Sequence, residues 1–277
     1  MKKALREMEE MSSFVDCFIY ILDSRIPISS INPEYDKILK TKPILYILNK
    51  SDLVEDKELK PWLNYFNDKA KCIEYNSKDK NYKQIVIQAI KELNINLINK
   101  FKQKGIKKAI RCMVIGVPNS GKSSFINSLS NKNKAQTKNM PGVTKTQQWV
   151  SLNEGIILLD TPGTLFPNFS DQKKALNLAT VGSVKEIVVD EYEIADNIIK
   201  VLLNNYKNAF FNKYQFTEEL QYNFELYINT IAENKNLYRK GGELDFDRAV
   251  NLIIQDFRKQ GFGKIILEKF EGLVWKQ

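Results

Sequence analysis

The sequence has no histidine, and this absence excludes several common kinds of catalytic site. Serine–histidine and cysteine–histidine nucleophiles need an imidazole base, and most zinc sites use imidazole ligands. Any catalysis by this chain must therefore use phosphate-binding, hydroxyl, carboxylate, amide or cationic groups.

Cysteine is scarce, with only Cys17, Cys72 and Cys112 in 277 residues. The three lie far apart in the sequence, in apolar contexts typical of strands, and lack the spacing of a metal site. Free cysteine is among the most buried residue types, so we expect three buried, reduced thiols.

Long apolar runs are also absent. Apolar stretches such as residues 18–22 and 156–159 have the length of strands, whereas a membrane-spanning helix needs about 20 residues. Residues 1–11 are amphipathic and mixed in charge, unlike a secretory signal. We expect a cytoplasmic protein without a membrane partner, monomeric when free.

The charge balance is basic, at +9. Clustered lysine and arginine bind phosphate backbones, so a polyanionic partner such as a nucleic acid is one interpretation. The other is a compositional bias of the genome, because lysine, asparagine and isoleucine are all abundant.

Apolar runs at 18–22, 44–48 and 110–115 alternate with helix-compatible stretches, a pattern that predicts an α/β fold with a mostly parallel sheet flanked by helices. Residues 149–152 and 156–159 predict a hairpin. After about residue 169 helical spacing dominates. We therefore expect an α/β domain over 1–175 and a smaller all-helical domain over 176–277. The predicted helices are 1–11, 57–67, 82–93, 122–129, 175–179, 195–203, 216–232 and 246–257.

Residues 116–123, G-V-P-N-S-G-K-S, match the phosphate-loop pattern G-x-x-x-x-G-K-[ST] between a predicted strand and a predicted helix. Backbone N–H groups and the helix N-terminus would surround the phosphates. Lys122 would reach the β- and γ-phosphates, and Ser123 would bind Mg²⁺. The remaining predicted nucleotide contacts in this loop are Pro118, Asn119, Ser120, Gly121 and Ser124.

Two later motifs predict a site that senses the γ-phosphate. D-T-P-G at 160–163 follows a predicted strand, so Asp160 would hold a Mg²⁺-bound water and Gly163 would offer its N–H to the γ-phosphate. Thr144, in P-G-V-T, would close over Mg²⁺ with its hydroxyl.

The base is predicted to be guanine. N-K-S-D at 49–52 follows a predicted strand, and the carboxylate of Asp52 could accept both N1–H and N2–H of guanine. Adenine offers no such pair of donors, and leaving the carboxylate unpaired would cost several kcal/mol. Asn49 would address the O6/N7 edge and help tie the loop, and the stem of Lys50 would lie over the ring.

A second base-side element is predicted at residues 75–78, where Ser77 and Lys78 are candidate contacts. Both base-reading elements precede the phosphate loop, whereas they follow it in ordinary GTPases. The motif order therefore indicates a circularly permuted GTPase, because permutation preserves the site when the same strands pair in the same order.

These residues resemble the YlqF/RbgA family of ribosome biogenesis GTPases. Besides the motif order, D-S-R-I-P-I-S-S-I-N-P at 23–33 resembles the family signature D-A-R-I-P-x-S-S-x-N-P. The helical region is similar at Tyr238, Arg239, Gly241, Gly242, Asp245, Asp247, Arg248, Ala249, Phe257 and Arg258. The resemblance implies a protein that binds the large ribosomal subunit late in its assembly, hydrolyses GTP there and leaves.

Two departures from the family concern catalysis. Family members carry a Gly-His-containing segment before the position that matches Met1, and a bulky apolar residue where this chain has Thr164. We therefore expect catalysis by electrostatic stabilisation from Lys122, Mg²⁺ and loop N–H groups, slow alone and faster on the ribosome. Asn119 resembles an asparagine that coordinates K⁺ in related GTPases; its alternative role is a loop-stabilising amide.

The candidate contacts to ribosomal RNA are basic residues of the helical region: Arg239, Lys240, Arg248, Arg258, Lys259 and Lys264. The alternative for these residues is an ordinary solvated surface. A competing function also stays open, namely a nucleotide-gated interaction module with little hydrolysis that recruits a protein or membrane partner.

Overall fold

The computed structural model describes residues 2–130, 148–152, 154–161, 171–184, 189–218 and 220–270. The chain forms two compact units, one of Met1–Asn168 together with Glu268–Gln277 and one of Phe169–Leu267. The division predicted at residue 175 stays a prediction. Nothing in the sequence indicated that the chain returns to the first unit at Glu268.

The first unit is built on a six-stranded sheet. The strands are β1 (Cys17–Asp23), β2 (Ile44–Asn49), β3 (Cys72–Tyr75), β4 (Ile110–Ile115), β5 (Gln148–Leu152) and β6 (Ile156–Asp160). Their order is β3-β2-β1-β4-β6-β5, and all neighbours are parallel except β5 and β6, which form the predicted antiparallel pair. The expected mostly parallel α/β fold is confirmed.

β1 lies in the interior of the sheet, and both of its faces are covered. All seven residues of β1 are buried, as continuous apolar runs in parallel sheets require. The helices of this unit are α1 (Lys2–Ser12), α2 (Asp36–Leu39), α3 (Asp56–Asn67), α4 (Tyr82–Leu93), α5 (Ile95–Lys102) and α6 (Lys122–Leu129), with 3₁₀ turns at Pro33–Tyr35 and Ser51–Leu53. None of the predicted helices covers α5, in which no side chain is fully buried.

Strand register brings the predicted motifs to one edge of the sheet. Asp23 at the end of β1 pairs with Asn49 at the end of β2, and Asn49 pairs with Tyr75 at the end of β3. On the other side, Val114 of β4 pairs with Asp160 at the end of β6. The carboxyl ends of these parallel strands therefore meet where ligands bind in open α/β sheets.

The second unit is helical, with α7 (Gln172–Thr180), α8 (Glu191–Asn205), α9 (Lys207–Tyr214), α10 (Phe224–Asn234) and α11 (Phe246–Arg258). The predicted helix at 216–232 was wrong in its first turns. Asn223 caps α10 instead, since its side chain accepts a 3.0 Å hydrogen bond from the N–H of Leu226. Phe216 lies before the helix begins, and the centroid of its ring is 5.3 Å from that of Tyr227. This packing places an apolar residue at helical spacing from those of α10, although it is not part of the helix.

The three cysteines are free and buried, as expected. Although Cys17 and Cys112 are far apart in the sequence, they face each other on β1 and β4 with their Sγ atoms 3.3 Å apart. Within the described part of the chain, no helix is both long and apolar enough to cross a bilayer.

Candidate functional site

The phosphate loop connects β4 to α6, as its motif predicted. Gly121 immediately precedes α6 with φ +97°, and a Cβ atom there would overlap Nδ2 of Asn49. Asn119 also has positive φ, at 56°, a conformation that asparagine tolerates better than most residues. Pro118 and Ser120 lie in the same loop, and Ser124 lies in the first turn of the helix.

Lys122 is buried, and its Nζ donates hydrogen bonds to the carbonyls of Gly116 (3.0 Å) and Val117 (2.8 Å). Loss of hydration lowers its pKa to about 8, an effect that the negative charge of Asp160 opposes. The ammonium group is therefore held in a partly dehydrated position at the phosphate loop, where an anionic ligand would favour its charged form.

Asp160 lies at the end of β6 beside the phosphate loop. Burial raises the pKa of Asp160, while Lys122 and a hydrogen bond from Ser123 lower it. Ser123, at the start of α6, and Asp160 therefore lie close together, and the Mg²⁺ site assigned to them stays a prediction. Thr144, Gly163 and Thr164 lie outside the described residues.

The predicted base-reading motif at residues 49–52 contacts the phosphate loop directly. Nδ2 of Asn49 donates a 2.7 Å hydrogen bond to the carbonyl of Ser120, and Nζ of Lys50 donates one of 2.7 Å to the carbonyl of Asn119. These pairs are 71 and 69 residues apart in the sequence. The two motifs therefore form one continuous site, with Lys50 spanning the space between them.

Asp52 lies in the 3₁₀ turn after Lys50, on the side of the second base-side element. Nζ of Lys78 lies 2.8 Å from its Oδ2 atom, and the Asp52 side chain is 23% exposed. Ser77 lies in the turn just before Lys78. The structure thus brings both predicted base-side elements together, with a carboxylate that solvent and ligands can reach.

The sequence reading did not assign a role at the site to Asp23. This fully buried carboxylate receives hydrogen bonds from Nη2 of Arg25 and from Nζ of Lys50, both of 2.8 Å. Burial acts to raise the pKa of Asp23, but attraction to the two cations holds it well below its usual range. The signal in the sequence was the D-S-R-I-P run at residues 23–27, which directly follows the apolar run at residues 18–22 and places an acidic and a basic residue two positions apart.

Comparisons with known proteins identify the family of this chain. Residues 111–221 match the family described as 50S ribosome-binding GTPase. Ribosome biogenesis GTPase A of Bacillus licheniformis is 36% identical over 275 residues, which cover 99% of this chain and 97% of that protein. A probable ribosome biogenesis GTPase A of Mycoplasma genitalium is 29% identical, with coverage of 97% and 94%.

Solved structures support the fold. GNP-bound YlqF from Thermotoga maritima gives a TM-score of 0.67 at 24% identity, covering 96% of this chain and 98% of that one. A GDP-bound YlqF structure gives 0.70 at 22% identity, covering 96% and 100%. Given the near-complete match at 36% identity, the chain belongs to the ribosome biogenesis GTPase A (YlqF/RbgA) family and is a guanine-nucleotide-binding GTPase.

Proposed function

We propose that this GTPase holds its nucleotide in one pocket, with the base at residues 49–52 and the phosphates at residues 116–123, and that it acts on the large ribosomal subunit. The observation that carries the pocket is the pair of 2.7 Å hydrogen bonds from Asn49 and Lys50 to the phosphate loop. They set the two halves of the site next to each other, so that one nucleotide can span both.

Guanine selectivity is assigned to Asp52. Its carboxylate accepts a hydrogen bond from Lys78, and carboxylate oxygens can accept several more from a ligand. Guanine supplies two N–H donors on one edge, whereas adenine would leave the carboxylate unmatched. Lys78, 72% exposed, can move aside as the base enters.

Mg²⁺ is assigned to Ser123, Asp160 and Thr144. Mg²⁺ commonly uses one or two protein oxygens together with substrate phosphates, so a hydroxyl and a carboxylate beside the phosphate loop fit its needs. The effect of Ser123 on the pKa of Asp160 indicates that the two side chains are close, which supports this assignment. When bound, the ion would neutralise charge on the β- and γ-phosphates.

For catalysis, we assign the main role to stabilisation of charge on the γ-phosphoryl group by Lys122 and by loop N–H groups, including that of Gly163. Turnover should be slow alone and faster on the ribosome. K⁺ bound at Asn119 is a further proposal, supported by the position of that amide in the phosphate loop. An equal turnover rate in potassium and sodium buffers would remove K⁺ from the mechanism.

The proposed contact with ribosomal RNA falls on exposed cations of the second unit, namely Lys240, Arg248, Lys259 and Lys264. Two other predicted contacts have structural partners. Arg239 is paired with Asp247 at 2.6 Å, and Arg258 donates to the carbonyl of Ala179 at 2.8 Å. Charge reversal at Lys240 and Lys264 should weaken subunit binding, and unchanged binding would favour an ordinary solvated surface.

Two experiments test the proposal. Titration with GTP and ATP should show strong preference for GTP, and Asp52→Asn should abolish that preference; a variant that kept it would contradict the base assignment. Sedimentation with each ribosomal subunit and a non-hydrolysable GTP analogue should show binding to the large subunit. Single-turnover hydrolysis should accelerate with that subunit, and no acceleration would favour a nucleotide-gated interaction module.

A further inference from the structure

Glu268 is the first residue of the segment that returns to the nucleotide-binding unit after the helical unit. Its carboxylate accepts hydrogen bonds from the N–H of Ile28 (2.7 Å), the N–H of Ser29 (3.0 Å) and the hydroxyl of Ser29. Ile28 and Ser29 are buried. A charged acceptor from 239 residues away thus satisfies two backbone donors of one loop.

The backbone of this segment also forms hydrogen bonds within the first unit. The N–H of Glu268 donates to the carbonyl of Arg25 at 3.3 Å, and its carbonyl accepts from Nε1 of Trp62 at 2.9 Å. The ring of Phe270 packs edge-on against Trp62, with centroids 5.1 Å apart. The segment therefore has a defined position on the loop that follows β1.

That loop in turn fixes Asp23. The N–H of Asp23 donates a 3.0 Å hydrogen bond to the hydroxyl of Ser30, which directly follows Ser29 in the chain. Arg25, whose carbonyl receives the N–H of Glu268, binds the Asp23 carboxylate through Nε (2.9 Å) and Nη2 (2.8 Å). Glu268 thus binds Arg25 and Ser29, while Asp23 forms hydrogen bonds with Arg25 and with Ser30, the residue after Ser29.

Asp23 then fixes the base-reading loop. Its Oδ2 atom lies 2.8 Å from Nζ of Lys50, which also donates to the carbonyl of Asn119. Lys50 has a left-handed backbone, with φ 60°, which is uncommon for lysine and needs external support. We therefore expect a shift of Asp23 to change the backbone and the side chain of Lys50, and with them the orientation of Asp52.

We propose that Glu268 is a positioning residue for guanine binding, acting through the loop at residues 24–30 and Asp23 on the base-reading loop at residues 49–52. The inference rests on the proposed role of Asp52. It links nucleotide retention to Glu268, the first residue of the segment that returns from the helical unit to the nucleotide-binding unit. A partner that displaced this segment would loosen the hold on the base without touching the nucleotide.

The test compares GDP with IDP, which lacks the 2-amino group that Asp52 is proposed to bind. Glu268→Ala should speed GDP release about tenfold and reduce the ratio of GDP to IDP affinity, because charge-assisted hydrogen bonds to the loop are lost. Lys269→Ala is the matched control. It removes a neighbouring charge that lies 3.7 Å from Glu58, and both readouts should stay within about twofold of the unmodified protein.

A merely structural role predicts a different result. Glu268→Ala would then lower the melting temperature and leave the GDP to IDP ratio unchanged, which would overturn the inference. Ser29→Ala and Glu268→Gln, which are milder changes, should each reduce the ratio, and their combination should be less than additive because they share one interaction. Full additivity would also overturn it.

Asp52→Asn separates this inference from the proposed function. If Asp52→Asn reduces the GDP to IDP ratio and Glu268→Ala does not, only the role of Glu268 fails. If neither variant changes the ratio, the assignment of the base pocket fails, and the inference fails with it.

Discussion

Binding of GDP should be coupled to protonation of Lys122. Burial lowers the pKa of this ammonium group to about 8 in the nucleotide-free protein. Phosphate oxygens would favour the charged form and return the pKa to the normal range of lysine or above it. Binding above pH 7 should therefore take up protons, and GDP affinity should fall as the pH rises through 8.

The size of the effect follows from that pKa. With a free-state pKa of about 8, binding at pH 8 should take up about half a proton, and affinity should fall about fourfold, or about 0.8 kcal/mol, from pH 7 to 8.5. Stability of the free protein should respond to this group in the opposite direction. The unfolded chain binds more protons between about pH 8 and 10.5, so the Lys122 contribution to stability rises over that range.

Isothermal titration calorimetry at pH 8 can measure the uptake directly. The apparent binding enthalpy in buffers of different ionisation enthalpy gives the number of protons bound, and a range up to pH 8.5 leaves the N1 proton of guanine in place. Lys122→Met removes the titrating group, so its GDP binding should be weaker and without this uptake. Equal uptake by the variant and the unmodified protein would refute the reasoning.

Three further substitutions test other parts of the fold. Gly121→Ala should weaken GDP binding by at least about tenfold, because the added methyl would overlap Asn49. Gly155→Ala is its control, since Gly155 also has positive φ but open space around it. This control should cost only about 1 kcal/mol of stability and leave affinity for a fluorescent GDP analogue unchanged. Asp23→Asn should lower the free energy of unfolding in urea by about 3 kcal/mol, since the buried Arg25 and the partly exposed Lys50 lose their carboxylate; a loss below about 1 kcal/mol would contradict this. Arg258→Met should cost about 1–2 kcal/mol by removing hydrogen bonds to the end of α7, and an unchanged melting temperature would count against it.

The loops of the proposed nucleotide site could be predicted to lie together because their motifs are short and local. The N-K-S-D and phosphate-loop residues each follow an apolar strand, and the strand ends of a parallel sheet lie on one edge. The sequence therefore predicted which loops share that edge. It could not give the contacts between them, because the hydrogen bond from Lys50 to Asn119 depends on the pairing of β1 with β4.

Glu268 shows where prediction from a single sequence fails. Locally it is one acidic residue near the end of a basic chain, without a motif or helical periodicity. Its proposed role depends on hydrogen bonds from two backbone N–H groups of a loop that begins more than 200 residues earlier. Local patterns report neither the hydrogen-bond requirements of a distant loop nor the path by which the chain returns.

The permuted order divides the site into two consecutive parts of the chain. Strands β1 to β3 occupy one side of the sheet and carry the base-reading loops, while β4 to β6 occupy the other and carry the phosphate loop and Asp160. The parts join where β1 pairs with β4, and Asn49 and Lys50 cross that boundary. In the proposed pocket, neither part alone holds the whole nucleotide, because the base and the phosphates contact different parts. A nucleotide bound in this way should therefore stabilise the form in which β1 and β4 are paired relative to the separated parts.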